Sequence, residues 1–309
     1  MKIVVTSFGC DYHAKIFYKH VSQLPQKWKY YTIQEIGKDW DILRDIDVIW
    51  NWGMFGDAFH FYKIAKRINP DIITVNTWTG TDIINFANRV TETPFCRQCM
   101  LQAIDYHTST SDIYCKELTA IGIDAYYIPA IPEKPLNLLK PFPTENRFAT
   151  YIPPNRKQFY RYDIILEIAK MYPDIEIDIY ALSNEDKEKT KPPLKNIHFM
   201  GYVTGRDKLE IFRNHKAFIS ILQHGGIGVM LIEFLQAGRY GIANRNIKYT
   251  YLVKTFQDIK DAIENIMKTT EPNILASKYY RKHFSPQVVR KLTSKLIKDI
   301  TIKQEQDKR

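Results

Sequence analysis

One stretch of the chain, residues 218–243, constrains the fold more than any other. It opens with a short, largely apolar run, Phe218 to Leu222, passes through a glycine-rich turn, and restarts with apolar residues at helical spacing until Gly238. This pattern predicts a strand, a turn and a helix, which is the repeating unit of a parallel sheet. We therefore expect an α/β protein.

The glycine turn in this stretch suits an anionic ligand. Gly225, Gly226 and Gly228 have no Cβ, so a ligand can approach backbone amides and the positive end of the following helix dipole. Glu233 lies in the second turn of that helix, where its carboxylate is placed to accept hydrogen bonds from ribose hydroxyls. A structural turn beside an exposed Glu233 is the alternative that the local pattern leaves open.

This segment resembles the C-terminal signature of the retaining, GT-B-fold glycosyltransferases of family 4, roughly Glu-Gly-Phe-Gly-x-x-x-x-Glu followed by Ala-x-x-Gly. The matching positions are Gly226, Ile227, Gly228, Glu233 and Gly238. The resemblance implies that Glu233 binds the donor ribose and that the glycines hold the turn near the diphosphate. Gly225 stands where the family has its first Glu, near the transferred sugar, and His224, the nearest polar side chain, is the candidate to replace it.

A second match to the same family lies upstream. The predicted strand Arg147 to Ile152 leads through a loop to a predicted helix from Tyr162 to Met171. The family carries an Arg, four residues and a Lys here, and that pair neutralises the donor diphosphate. Aligning the helices places Arg156 and Arg161 on the two positions, and Arg161 keeps the charge of Lys with a different geometry. Each arginine taken alone is equally consistent with a solvated surface charge.

The composition fits an enzyme of this kind and excludes a disordered chain. The 309 residues are 45% hydrophobic and 25% charged, which allows two buried cores. The net charge of +10 favours anionic partners, leaving nucleotide sugars, acidic lipid surfaces and nucleic acid open. No apolar run approaches the length of a membrane span, and the opening strand is too short for a secretory signal. We expect a cytoplasmic protein, with peripheral membrane association left open.

Cysteines and histidines predict no metal site. The cysteines are Cys10, Cys96, Cys99 and Cys115, too few and too scattered for a disulfide framework. Cys96 and Cys99 have the spacing of a metal or redox pair but lack a second paired motif, so we expect reduced thiols. We expect no cofactor beyond a nucleotide-diphosphate sugar as donor substrate.

Predicted strands and helices alternate along both halves of the chain, as in a doubly wound sheet. In the first half, one of the predicted strands covers Tyr31 to Gln34. Prolines then crowd together at Pro129, Pro132, Pro135, Pro141 and Pro143, which predicts a linker. The predicted domains are residues 1–143, residues 144–285, and a closing helix with tail at 286–309. The resemblance implies the GT-B arrangement: two Rossmann-like domains facing a cleft, with the C-terminal helix packing back on the N-terminal domain.

The N-terminal half should hold the acceptor. The predicted strand Ile72 to Asn76 is followed by a turn that resembles the family's His-Gly-Ser/Thr-Asp turn, with Thr79 in the place of His. The predicted acceptor-side residues are Gly9, Trp78, Thr79, Gly80 and Asp82, and Thr81 also matches the turn. Asp82 is alternatively a simple N-cap of the helix that follows.

The resemblance implies transfer of a glycosyl group from a nucleotide-diphosphate sugar such as a UDP sugar, with retention at the anomeric carbon and without a metal. The acceptor, whether a glycan, a lipid-linked molecule, a protein or a nucleic acid, is not identified by the sequence. Two alternatives stay open. One is a non-catalytic GT-B scaffold that binds a nucleotide sugar or a partner. The other is a different two-Rossmann enzyme, either a sugar epimerase or a DNA-modifying inverting glycosyltransferase.

Overall fold

The protein is described by a computed structural model that covers residues 1–54, 58–80, 82–86, 102–183, 194–203 and 207–307. The chain divides into two compact units. The first unit comprises Met1–Glu133 together with Phe284–Arg309, and the second comprises Lys134–His283. Each unit has its own sheet.

The helices flank both sheets and follow the alternation predicted from the sequence. They are α1 (Asp11–Val21), α2 (Ile33–Lys38), α3 (Ala58–Ile68), α4 (Asp112–Ala120), α5 (Tyr162–Met171), α6 (Asp207–Asn214), α7 (Val229–Gln236), α8 (Phe256–Lys268), α9 (Ile274–His283) and α10 (Pro286–Asp307). Residues 82–86 are also helical. The closing helix α10 packs against α1, as predicted for the C-terminal helix.

The sheet of the first unit has six parallel strands in the order β2-β1-β3-β4-β5-β6. Its strands are β1 (Lys2–Ser7), β2 (Lys27–Tyr30), β3 (Val48–Trp52), β4 (Ile73–Trp78), β5 (Tyr106–Ser109) and β6 (Ala125–Tyr127). The direction of strand addition reverses between β1 and β3. Ligands of doubly wound sheets bind at the carboxyl ends of the strands beside such a reversal.

The predicted strand from Tyr31 to Gln34 is wrong. The strand ends at Tyr30, and α2 begins at Ile33. Thr32 accepts a hydrogen bond from the amide of Glu35 while the Glu35 carboxylate accepts one from the amide of Thr32, which forms a capping box. Because this box satisfies free amides at the helix start, it outweighs the β-branched character of the segment.

The sheet of the second unit also has six parallel strands, in the order β12-β11-β10-β7-β8-β9. They are β7 (Arg147–Tyr151), β8 (Glu176–Tyr180), β9 (Ile197–Gly201), β10 (Ala217–Ser220), β11 (Tyr240–Ala243) and β12 (Tyr251–Leu252). Here the reversal lies between β7 and β10. Aliphatic residues such as Ile177, Ile219 and Ile263 fill the core against the sheet.

The start of the second unit is held firmly by α7 and the residues after it. The amide of Leu139 donates to the carbonyl of Ala237 at 3.1 Å, and the amide of Leu136 donates to the Gln236 side chain at 3.0 Å. Gly238 has a φ of +77°, and a Cβ there would lie 2.3 Å from Leu138. The segment after Glu133, predicted as a linker, is therefore docked on the second unit rather than free.

Among the described residues, no helix is long and apolar enough to cross a membrane. Among the described residues, Cys10 and Cys115 are not joined in a disulfide. The Cys96 and Cys99 pair lies outside the described residues, as does Thr81.

Candidate functional site

Three loops meet at the carboxyl edge of the second sheet. The loop after β7 carries Arg156 and Arg161, the loop after β10 carries the glycine turn, and the loop after β11 starts with Asn244 and Arg245. Because β7 and β10 flank the reversal in strand order, their loops leave the sheet toward opposite faces and open a crevice between them. The two sequence motifs predicted to bind the donor therefore border one crevice.

Hydrogen bonds tie the three loops together. The amide of Gln223 donates to the carbonyl of Phe159 at 2.9 Å, which joins the loops after β10 and β7. The Asn244 side chain accepts from the amide of Leu222 at 3.1 Å and donates to its carbonyl at 2.7 Å. The crevice is therefore lined by a cross-braced backbone rather than by three independent loops.

Two arginines at this edge interact electrostatically with the same tyrosine, Tyr160. Arg156 ends a short 3-10 turn and is exposed, whereas Arg245 is half-buried and donates to the Ser220 hydroxyl at 2.9 Å. Burial raises the pKa of the Tyr160 hydroxyl, and the positive charges of Arg156 and Arg245 oppose that shift. Both cations therefore lie close enough to Tyr160 to influence the pKa of its hydroxyl.

Arg161 occupies an unusual backbone position at the start of α5. Its φ is +50°, in the left-handed region, and its side chain makes no cap hydrogen bond. Its guanidinium binds the exposed carboxylate of Asp163, with Nη2 2.8 Å from Oδ2. The Arg161 charge is therefore partly offset by an exposed surface partner that an anionic ligand is able to displace.

The glycine turn presents backbone rather than side chains. Gly228 is the N-cap of α7, and a Cβ built on it would meet no atom within 4 Å. Gly226 is buried, while His224 and Ile227 are half-buried. The first turn of α7 has no acidic residue and no side-chain cap, so its amides and positive dipole end are available to an anion.

Gly225 stands where the family 4 pattern has a Glu, and its backbone conformation bears on that difference. Its φ is +155°, a value that residues with a side chain rarely adopt. A Glu at this position would therefore strain the turn as it is built here. The glycine at this position is therefore matched by a backbone conformation that favours glycine.

Glu233 is a buried carboxylate with one paired and one unpaired oxygen. Its side chain is 7% exposed, and Oε1 lies 2.6 Å from Nζ of Lys208 on α6. Among the described residues, no donor lies within hydrogen-bond distance of Oε2. Burial raises the pKa of Glu233 and the Lys208 ammonium opposes the rise. A buried acceptor without a donor is energetically costly and is suited to a ligand hydroxyl.

The predicted acceptor-side residues gather at the carboxyl edge of the first sheet. Gly9 is exposed with a φ of +85°, directly after β1. The Thr79 hydroxyl, directly after β4, lies 3.4 Å from Sγ of Cys10. The loops after β1 and β4 are therefore neighbours, and Gly9 and Thr79 are the predicted residues at this edge that solvent reaches.

The remaining acceptor-side residues are buried. Asp82 has no exposed surface, and its carboxylate accepts hydrogen bonds from the backbone amides of Met54, Thr79, Gly80 and Ile83. Trp78 is also fully buried, and a Cβ on Gly80 would lie 2.4 Å from the Tyr114 hydroxyl oxygen. These residues fix the loops after β3 and β4 rather than present side chains to solvent.

Sequence reasoning missed three polar residues of the second unit: Lys208, Asn244 and Arg245. A signal for two of them was present, since Asn244 and Arg245 directly follow the predicted apolar segment that ends at Ala243. Lys208 gave no local signal because its role depends on α6 packing beside α7. Its partner Glu233 lies 25 positions away in sequence.

The edge of the second sheet combines guanidinium groups, free helix amides and a buried carboxylate. Guanidinium and amide groups bind phosphate oxygens, and a carboxylate binds hydroxyls. Within the described ranges, no three His, Cys, Asp or Glu residues are grouped so as to hold a metal ion. The groups at this edge are suited to bind an anionic ligand that also carries several hydroxyl groups.

No protein-family model and no curated protein matches this chain. Solved structures do match it. Sucrose-phosphate synthase from Thermosynechococcus elongatus has a TM-score of 0.73 at 8% identity, covering 98% of this chain and all of that one, 100%. UDP-GlcNAc 2-epimerase from Neisseria meningitidis bound to UDP-GlcNAc has a TM-score of 0.52 at 12% identity, covering 97% and 100% of the two chains.

A third similar structure is a mutant of TarM from S. aureus, solved with fondaparinux, alpha-GlcNAc-glycerol and UDP. Its TM-score is 0.55 at 16% identity, and the match covers 81% of this chain. The present chain spans only 55% of the length of that protein. At such low identities, similarity establishes the fold and not the activity. With its two parallel six-stranded sheets and flanking helices, the chain has the two-domain α/β GT-B fold.

Proposed function

We propose that this protein is a glycosyltransferase that transfers a sugar from a nucleotide-diphosphate donor to an acceptor, with retention at the anomeric carbon and without a metal. One observation carries the proposal. The carboxyl edge of the second sheet brings two arginines, an open glycine turn and a buried carboxylate to the crevice beside the reversal in strand order. That is the place where doubly wound sheets bind ligands.

In this proposal the donor diphosphate lies against the arginines and the glycine turn. Arg156 and Arg161 bind its oxygens, and the free amides of the first turn of α7 add positive potential. Arg245 contributes a third positive charge beside Tyr160. Because negative charge grows on the leaving diphosphate as the glycosidic bond breaks, these groups stabilise the transition state more than the ground state.

Glu233 is proposed to bind the donor ribose. Its Oε2 atom is buried without a donor among the described residues, whereas Oε1 is held by Lys208. A pair of vicinal hydroxyls supplies the missing donors. Lys208 then acts as a positioning residue that fixes the orientation of the carboxylate.

Retention and metal independence rest on the resemblance to family 4 and on the cationic groups of the site. Three guanidinium groups and a helix N-terminus supply the positive charge that a divalent ion supplies in other enzymes. Uridine is the nucleotide we propose, because TarM was solved with UDP and the epimerase with UDP-GlcNAc. His224, next to the glycine that replaces the family's first Glu, is proposed to face the transferred sugar.

Calorimetry with UDP tests the donor site directly. We expect Glu233→Gln to weaken UDP binding by about 10- to 100-fold, since hydrogen bonds to charged groups contribute about 1.5–3 kcal/mol. Glu167→Gln is the matched control, because Glu167 is an exposed helix carboxylate of the same unit. Equal affinity of the Glu233 variant and the wild type, with folding intact, would reject the ribose assignment.

The diphosphate assignment is tested by Arg156→Ala and Arg161→Ala, with Arg213→Ala as control. Arg213 is an exposed arginine paired with Glu210 on a helix, as Arg161 is paired with Asp163. We expect each site variant to weaken UDP binding by about tenfold or more and the control to bind normally. Unchanged binding by both site variants would show that the diphosphate does not bind at this edge.

Turnover is tested by screening UDP sugars for slow donor hydrolysis and for epimerisation. The similarity to UDP-GlcNAc 2-epimerase over 97% of this chain makes epimerisation without an acceptor the competing outcome. We expect hydrolysis, with the sugar configuration unchanged and the rate unaffected by EDTA. Loss of activity in EDTA that manganese restores would contradict the metal-independent proposal, and binding without any turnover would favour a non-catalytic scaffold.

A further inference from the structure

The outer face of α9 combines protruding aliphatic side chains with a group of cations. Leu275 is 64% exposed and Ile274 is 42% exposed, although both begin a helix in a unit with a well-filled core. With 3.6 residues per turn, the exposed residues fall on one side of the helix. We call this set the α9 face; it consists of Ile274, Leu275, Lys278, Arg281 and Lys282.

The charge on the α9 face is positive, and no acidic group of the described part of the chain pairs with it. The helix sequence contains no Asp or Glu. Among the described residues, no carboxylate lies within ion-pair distance of Lys278, Arg281 or Lys282. Surface cations of a soluble protein are usually interspersed with acidic groups, so a face of this composition is selective for an anionic partner.

Two tyrosines and a lysine extend the α9 face at its side. The rings of Tyr249 and Tyr279 pack edge to face, with centroids 5.4 Å apart, and Nζ of Lys248 lies 4.5 Å from the Tyr279 ring. Tyr249 is 36% exposed. Tyrosine is favoured where one end of a side chain meets apolar groups and the other meets water.

The backbone that presents Tyr249 is strained and is held by α9 itself and the residue before it. Tyr249 has a φ of +63°, in the left-handed region that residues with a side chain seldom occupy. The Tyr280 hydroxyl donates to the carbonyl of Lys248 at 2.8 Å, and the Asn273 side chain donates to the carbonyl of Tyr249 at 3.3 Å. The fold thus keeps an aromatic side chain beside the basic helix.

We propose that the α9 face docks on the surface of a lipid bilayer that contains anionic headgroups. Lys278, Arg281 and Lys282 bind lipid phosphates, and Leu275 with Ile274 enters the boundary between headgroups and acyl chains. Nucleic acid would also pair with the cations, but it would leave the two aliphatic side chains in water. The aliphatic pair therefore favours the bilayer, and this inference is independent of the proposed activity.

Vesicle co-sedimentation of the full chain tests the electrostatic part. The vesicles contain phosphatidylcholine alone or phosphatidylcholine with phosphatidylglycerol. We expect binding only to the anionic vesicles, with about a hundredfold weaker partitioning for the triple variant Lys278→Gln, Arg281→Gln and Lys282→Gln. The control is Lys170→Gln, Lys254→Gln and Lys268→Gln, which removes the same charge from exposed lysines elsewhere in the same unit. Absence of binding, or an equal loss in both triple variants, would overturn the proposal.

The aliphatic part is tested by Leu275→Ser, which preserves all charges. Because Leu275 is already exposed, we expect the thermal unfolding temperature to stay the same and vesicle partitioning to fall by about tenfold. Unchanged partitioning would show that Leu275 does not enter the bilayer and would overturn the aliphatic part of the proposal. A fluorescently labelled single-stranded oligonucleotide serves as the competing ligand: if it binds with the same dependence on the three cations and displaces the vesicles, the face is a nucleic-acid site instead.

Discussion

The carboxyl edges of the two sheets differ in what their polar groups do. In the first unit, the buried carboxylate of Asp82 is fully engaged by backbone amides that lie in the loops after β3 and β4. In the second unit, the buried carboxylate of Glu233 has one oxygen without a donor among the described residues. At the start of the same helix, a Cβ built on the N-cap Gly228 would meet no atom within 4 Å.

This difference shows that sheet topology determines where a site can form, and that individual side chains determine whether polar groups there are available to a ligand. Both sheets are parallel and both reverse strand order near their centre. At this edge the buried carboxylate of the first unit is closed off by backbone amides, whereas the one in the second unit keeps an oxygen without a donor among the described residues, and we call the two edges closed and open in this sense only. We infer that Asp82 serves the rigidity of its loops and that Glu233 serves binding, and substitutions at the two carboxylates should therefore have different effects.

The largest expected effect is at the closed edge. Asp82→Ala leaves four backbone amides without their acceptor in the interior, which should lower the free energy of unfolding by about 3–5 kcal/mol. Urea unfolding measures this change, and Asp71→Ala, at an exposed position of the same unit, is the control. Normal stability with lost turnover would instead assign Asp82 to the substrate.

A buried ion cluster in the second unit should dominate how the free energy of unfolding of that unit changes at acidic pH. Asp178 accepts a bidentate pair from Arg147, at 2.9 and 3.0 Å, and lies 3.0 Å from Nε2 of His215. Burial raises the pKa of Asp178, but the hydrogen bonds from His215 and Arg147 outweigh it and hold the pKa below its usual value. The cluster therefore stabilises the fold fully above the unfolded pKa of about 3.9 and less as pH falls through the folded value.

We expect Asp178→Asn to lower the free energy of unfolding at neutral pH by about 3 kcal/mol and to flatten its decline below about pH 4. Urea unfolding at a series of pH values gives both quantities. UDP binding by the folded variant should be unchanged, since the cluster is not part of the donor site. An unaltered pH profile would mean that another carboxylate controls acid unfolding.

A pair of glycine substitutions separates stability from binding within the second unit. A Cβ on Gly241 would lie 2.8 Å from Thr250 and 2.9 Å from Leu231, whereas a Cβ on Gly228 meets nothing within 4 Å. Gly241→Ala should therefore lower the free energy of unfolding by about 1–3 kcal/mol and leave UDP affinity intact. Gly228→Ala should change stability by less than about 1 kcal/mol but weaken UDP binding, because its methyl group occupies the ligand approach. The opposite pattern would mean that the glycine turn has no contact with the donor.

Most strands and helices could be predicted from the sequence because the apolar periodicity and the flanking turn residues indicate the same type and position of element. The apolar run before the glycine turn and the helix after it were predicted in this way, and the structure confirms both as β10 and α7. The strand predicted at Tyr31 to Gln34 is wrong because Thr32 and Glu35 form a capping box that starts α2 at Ile33. That box is a local signal, because Thr32 and Glu35 have the spacing of a helix start in the sequence itself.

The polar contacts of the site were less accessible to prediction because they depend on tertiary packing. The pairing of Lys208 with Glu233 requires α6 to lie beside α7, and no sequence pattern links the two residues. Arg245 reaches Ser220 across neighbouring strands of the sheet. Which predicted residues are buried, as Trp78 and Asp82 are, likewise became visible only with the fold.

The smallest expected effect concerns the surface partner of Arg161. Asp163→Asn removes the exposed carboxylate that binds the guanidinium of Arg161, a contact that is largely screened by water. We expect the free energy of unfolding to fall by no more than about 0.5 kcal/mol and UDP affinity to rise by about two- to fivefold, because the diphosphate no longer competes with Asp163. Calorimetry at low and high salt checks this, since the gain should shrink as salt increases. A decrease in affinity would show that Asp163 orients Arg161 for binding, and the open edge would then be organised by its ion pairs as the closed edge is by its hydrogen bonds.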